Sequence, residues 1–246
     1  MFTYSSKLST QAELFITNLR ELTLTDHSKI SLVECEFDLK HYQDLLYPLC
    51  GLNLYEPMQG SVAKRKAEFL AGRVCAYYAM DKIGVAEELT IGKSREPNWP
   101  IGIIGAITHT NNSALCAVIS KYDEQDVIGI DREKWIPHSV AIMLQQQILQ
   151  QKERALLEKQ ANFAFNKLLT ICFSAKESIF KAYFVKVGEY FDFKDANLVS
   201  FSCNGKNGQC QFILADWLKQ KIALTEPVTV DFFLDEEQVT TLLYNC

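Results

Sequence analysis

VIGIDRE (127–133) and, further along, FSAKESIFKAYF (173–184) decide how this chain is to be read. The first is short, β-branched and preceded by the polar run KYDEQD (121–126), so it reads as a strand. The second lies in the strongest helical stretch of the chain, Phe165 to Val187, and sets Phe173, Phe180 and Phe184 in one narrow angular band. Residues 140–187 read as helices. The remainder reads as sheet, with SCNGKNGQC as a hairpin turn and VTVDFFL as a strand. Upstream, SVAKRKAEFLAGRVCAYYAMDKIG (61–84) repeats near 3.6 residues and predicts a helix capped by Ser61 and stopped by Gly84. SREPNWPIG is a loop, and Ile101–Ile107 and Ala114–Ser120 are strands joined by the polar turn THTNNS. Residues 1–60 mix short apolar stretches with turn residues, and ISLVECEF alternates as a strand. KYDEQD is the internal joint. No Rossmann glycine fingerprint or P-loop accompanies the alternation, so the class is α+β.

Composition narrows the function. The 246 residues are 48% hydrophobic and 22% charged, with a formal net charge of −5, which suits one large domain or two small ones and excludes disorder. An acidic chain is a poor generic nucleic-acid binder. No uncharged apolar run reaches the roughly 18 residues of a membrane span, and the opening lacks a basic region followed by an apolar one. The expectation is a cytoplasmic protein. The 8 cysteines form no C-x-x-C pair and most sit among apolar neighbours, as buried free thiols do; the 4 histidines are scattered too widely for a zinc cluster.

Four segments carry chemistry. On a strand, Asp131 and Glu133 point to one face, with Gly129 leaving room there for a ligand; this is a small oxygen-donor set for Mg²⁺, or a solvated acid pair. On the helix, Glu177 borders the aromatic stripe with Lys181 one turn on and Lys176 on the opposite flank. It is either an i, i+4 surface pair with Lys181 or a third metal ligand with the lysines beside an anionic substrate. KRKAEFLAGR (64–73) is a solvated face, or sets Arg65 and Arg73 as forks for a polyphosphate. GAITHTNN (105–112) puts Thr108 and His109 at a turn that can receive an anion.

These segments, in this order, resemble the Sfp-type 4′-phosphopantetheinyl transferases, specifically the enterobactin synthetase component D group. The matching strings are FDLKHYQDLL, KRKAEFLAGR, EPNWPIGIIGAITHT, VIGIDRE and FSAKESIFKAYF, covering about residues 37–190. The resemblance implies transfer of phosphopantetheine from coenzyme A to a serine of an apo acyl, aryl or peptidyl carrier protein. Adenosine 3′,5′-bisphosphate leaves. It implies a Mg²⁺ site at Asp131, Glu133 and Glu177, with Glu177 and Lys181 catalytic. Arg65, Arg73, Thr108, His109, Lys176 and Lys181 would contact coenzyme A. Siderophore biosynthesis of the enterobactin type is the first expectation. Polyunsaturated fatty-acid or polyketide synthase carriers come second, and a Mg²⁺-dependent nucleotide pyrophosphatase or a non-catalytic carrier-binding module are the rivals. The implied fold is two similar halves related by a pseudo-twofold, each a small antiparallel sheet on a long helix, with the active site in the cleft between them. Residues 1–122 would meet the nucleotide, and residues 123–246 would hold the metal and face the carrier. A monomer is expected.

Overall fold

A computed structural model describes residues 8–24 and 27–245. The chain forms two compact units, Met1–Tyr122 and Asp123–Cys246. In the first, α1 (Thr10–Phe15), β1 (Ile16–Leu22) and β2 (Ser31–Phe37) lead through two one-turn helices, α2 (Leu46–Leu49) and α3 (Glu56–Gln59), into the long α4 (Ala63–Lys82). A two-residue ladder, β3 (Thr90–Ile91) with β4 (Pro97–Asn98), precedes β5 (Ile103–His109) and β6 (Ser113–Ser120). The sheet order is β1-β2-β6-β5, antiparallel throughout.

Small residues set how closely α4 lies on this sheet. Ala67, Ala71, Cys75 and Ala79 are fully buried on its inner face, against β2 and β6. A methyl group on Gly72 would stand 2.8 Å from Ile107 Cγ2. The helix starts after Val62, with no side-chain cap, so Ser61 does not play the capping part that its residue type predicts. Gly84 ends it with a left-handed φ of 78°, as expected of a helix stop. The strand β1 escapes the sequence pattern because it is a mostly exposed edge with a bulge between Thr17 and Arg20, which erases the alternation.

The second unit contains β7 (Val127–Lys134), α5 (His138–Ile148), α6 (Gln151–Leu157) and the 23-residue α7 (Phe165–Val187). It continues with β8 (Ala196–Asn204), β9 (Asn207–Leu214), α8 (Asp216–Ile222), β10 (Val228–Leu234) and β11 (Gln238–Asn245). Its antiparallel sheet runs β7-β11-β10-β9-β8, so the first strand pairs with the last. The helix α7 packs across β7 and β11, and Ile171, Ala175 and Ile179 sit in the core between helix and sheet. Each unit is thus an antiparallel sheet on one long helix. The four- and five-stranded orders differ, because the helix follows two strands in one unit and one strand in the other.

The described cysteines are free thiols, and burial pushes Cys172 up to about 12 and Cys50 to about 12. They are packing residues; Cys246 lies outside the described residues. Among the described residues, no helix is long and apolar enough to cross a membrane.

Candidate active site

The edge strand β7 is almost wholly buried because α7 lies directly on it. Gly129 makes that approach possible. A methyl group there would fall 1.9 Å from Ser178 O and 2.9 Å from Ala182 Cβ. The space expected to admit a ligand is therefore filled by the helix, and the glycine serves the packing. With α7 seated at Gly129, the next inward residue of the strand, Asp131, meets the side chains of the same helix.

Asp131 is 3% exposed. Its Oδ1 accepts from Lys181 Nζ at 2.7 Å and its Oδ2 from Ser174 Oγ at 2.8 Å. The lysine therefore reaches across to the strand instead of limiting itself to an i, i+4 surface pair with Glu177. Glu133 and Glu177 flank the pair, both largely buried. Burial first, and then the charges of Asp131 and Glu177, hold Glu133 up at about 7, while Lys181 opposes the rise. Glu177 is raised by burial and by Asp131, again against the pull of Lys181. The ammonium of Lys181 pairs with Asp131, while Glu133 and Glu177 resist ionisation first because they are buried and then because the Asp131 charge is near.

That donor set, all carboxylate oxygen and short of cationic charge, is of the kind that suits a hard divalent ion such as Mg²⁺. Among the described residues no three His, Cys, Asp or Glu side chains stand close enough to hold a metal as they are. Lys181 occupies Asp131 in this arrangement.

One expectation fails here for a clear physical reason. Lys176 lies next to Glu177 in sequence, but its side chain is 1% exposed. Its ammonium donates to Ile148 O at 2.8 Å, Phe193 O at 2.9 Å and the Glu153 carboxylate at 2.8 and 3.0 Å. With every proton engaged inside the core it has none for an anionic substrate, so it ties α6 and the 193–195 turn to α7. Arg132, which follows Asp131, alternates onto the other face of the strand. There it is 8% exposed and donates to Thr240 Oγ1 at 2.9 Å. The aromatic stripe does pack as predicted. Phe180 meets Phe184, Tyr190 and Phe191 at 5.0–5.1 Å, and a cavity of about 50 Å³ lies between Glu177 and the 190–196 segment.

In the first unit, Thr108 and His109 are the last residues of β5, so they sit on the strand instead of in the turn. Arg65 Nη1 stands 3.0 Å from His109 Nε2, and Glu68 Oε2 lies 3.9 Å from His109 Nδ1. Lys64 adds a bond to Asn111 Oδ1 at 2.8 Å. This gathers cationic donors where α4 begins and β5 ends. Thr108 is buried. Arg73 does not join them. It is 4% exposed, donates from Nη2 to Thr90 O at 3.2 Å and stacks 4.8 Å over the Phe69 ring. Its buried Nη1 finds no hydrogen-bond partner among the described residues, although Arg73 borders a cavity of about 460 Å³ with Asn53, Tyr77 and Glu88.

Sequence reasoning assigned nothing to Ser174, Ser178, Thr241 or Glu153. The two serines lie inside the quoted FSAKES string, four residues apart, which is the one signal that they share a helix face. Glu153 and Thr241 carry no local signal.

Residues 55–119 match the 4′-phosphopantetheinyl transferase N-terminal domain, and residues 127–230 match the 4′-phosphopantetheinyl transferase superfamily. The chain belongs to the 4′-phosphopantetheinyl transferase superfamily. It is similar to enterobactin synthase component D of Escherichia coli K12, 34% identical over 195 residues, which covers 77% of this chain and 89% of that one. To the protein of that name in Salmonella typhi it is 36% identical over 155 residues, 63% of this chain and 62% of the other. A 4′-phosphopantetheinyl transferase of Mycobacterium tuberculosis is 35% identical over 146 residues, 56% of this chain and 60% of that one. The chain spans about three fifths of the length of the two Salmonella relatives it matches first, 62% and 60%.

Proposed function

We propose that this protein moves the phosphopantetheine arm of coenzyme A onto a serine of an apo carrier protein, in siderophore biosynthesis of the enterobactin type. The observation that carries the reading is the ion pair of Lys181 with Asp131, with Glu133 and Glu177 held above their ordinary range by burial and by the Asp131 charge. Membership of the superfamily supports it, as do relatives named enterobactin synthase component D.

In this reading the serine Oγ bonds to the phosphorus of the phosphopantetheine arm. The bond from that phosphorus to the bridging oxygen breaks, and adenosine 3′,5′-bisphosphate leaves with the electron pair. Glu177 takes the serine proton. Lys181 neutralises charge on the departing phosphate. Mg²⁺ held by Asp131, Glu133 and Glu177 would supply charge neutralisation at the pyrophosphate. Arg65, His109 and Thr108 bind the nucleotide end. Buried free thiols suit the reducing cytoplasm.

The test is mass spectrometry of apo carrier domains mixed with the protein, coenzyme A and Mg²⁺. The expected result is a gain of one phosphopantetheine with wild type and none with Glu177→Gln at unchanged circular dichroism. Full activity in Glu177→Gln would remove the role given to that residue.

A further inference from the structure

Asp131 is paired across the ladder with Thr241 of β11, a strand that lies beyond the segment matched by the superfamily, which ends at residue 230. The two residues share one face of the sheet, the face covered by α7. Thr241 Oγ1 is 3.0 Å from Ser174 Oγ and 2.7 Å from Ser178 Oγ, and Ser174 Oγ is 2.8 Å from Asp131 Oδ2. Thr241, Ser174 and Ser178 are all 0% exposed, so water cannot substitute for any of these bonds.

Each hydroxyl has one proton, and a carboxylate that is ion-paired to a lysine offers only acceptors. Ser174 therefore donates to Asp131, and its lone pair accepts from Thr241. The one proton of Ser178 faces Thr241, whose Oγ1 lies at 2.7 Å and whose backbone oxygen lies at 3.1 Å. The opposite sense would leave Ser174 without a donor, and the field of the carboxylate disfavours it. The Thr241 and Ser174 hydroxyl dipoles then point in one sense toward Asp131 and strengthen one another. Lys181 holds the other oxygen of the same carboxylate, so both oxygens are fixed.

We propose that Thr241 is a positioning residue, which orients the Asp131 carboxylate through Ser174 and makes β11 part of the active-site support. This rests on the reading of Asp131 as a metal-binding, reaction-supporting acid. Hydrogen-bonded partners of a ligating carboxylate typically change metal affinity or activity by about 10–100-fold when removed.

The experiment compares Thr241→Val, which keeps the shape and removes the hydroxyl, with Thr241→Ser, which keeps the hydroxyl and removes a methyl. Carrier modification is followed for kcat and KM, and Mn²⁺ binding is followed by electron paramagnetic resonance without coenzyme A. In Thr241→Val, kcat and Mn²⁺ affinity are expected to fall by about 10–100-fold, with KM for coenzyme A little changed. Thr241→Ser should stay within about threefold of wild type, because the relay survives. Wild-type kcat and Mn²⁺ affinity in Thr241→Val would overturn the proposal, and so would equal damage in both variants, since packing would then be the cause. If Thr241→Val does not fold, Thr241→Ala set against Thr241→Ser decides: weaker Mn²⁺ binding in the alanine variant supports the relay, and equal binding in the two overturns it. Variants that match an active wild type defeat the role of Thr241 alone. A wild type that neither binds Mn²⁺ nor transfers defeats the reading of the site, and this proposal with it.

Discussion

The α-carbon of Gly129 faces the Ser178 carbonyl so closely that a methyl group on it would stand 1.9 Å from that oxygen. This one approach sets where α7 crosses β7, and through it the pairing of Asp131 with Ser174 and Lys181. Gly129→Ala must push a helix off a strand. It is expected to destabilise the fold by about 3 kcal/mol or more, the upper range for overpacking a core. Gly60→Ala is the control, since nothing lies within 4 Å of the position. Equal thermal midpoints for the two variants would mean that strand and helix do not meet at Gly129.

The acids around Lys181 act against stability. Glu133 titrates at about 7 in the folded chain against an ordinary 4.5. Between those values the folded state binds more protons than the unfolded one, so stability falls as pH rises through the window and is level outside it. Glu133→Gln should remove this fall. In metal-free buffer it should melt above wild type at pH 8, by about 1–2 kcal/mol after screening is allowed for, and level with it near pH 4. A wild-type profile that is flat from pH 4.5 to 7, once the same profile of the variant is subtracted, would contradict the crowding of these carboxylates.

Lys176 and Glu153 form a pair with both side chains 1% exposed. Removing one partner leaves a buried charge alone, so Lys176→Met should cost about 3–5 kcal/mol in urea unfolding. Adding Glu153→Gln should recover part of that loss, because the stranded carboxylate is gone. Were Lys176 a substrate contact, the single change would instead raise KM for coenzyme A with unchanged stability.

Arg65 is exposed and adjoins His109 at 3.0 Å. Arg65→Ala should raise KM for coenzyme A by about tenfold and weaken its dependence on salt, because an exposed phosphate contact is screened by ions. A salt response identical to wild type would place the nucleotide elsewhere.

Much of this was legible along the chain. Helical spacing located α4 and α7, alternation located β2, apolar runs between turns located β6 and β10, and residue type marked Asp131, Glu133, Glu177 and Lys181. The strand β1 and the short α8 were not legible, one because its edge is exposed and bulged, the other because seven residues hold too few turns to show a period. Thr108 and His109 were read one element late, since polar residues at a strand end look like the turn that follows.

The amino-acid order by itself determined the elements and the kinds of side chain they carry, because both follow from spacing and chemistry a few residues apart. Only the tertiary structure decided which neighbours in sequence are neighbours in function. Lys176 and Lys181 carry the same charge on the same helix, yet one is sealed against Glu153 and the other bridges to Asp131. Thr241 reaches Asp131 from more than a hundred residues away through a ladder register, a pairing that no local pattern encodes.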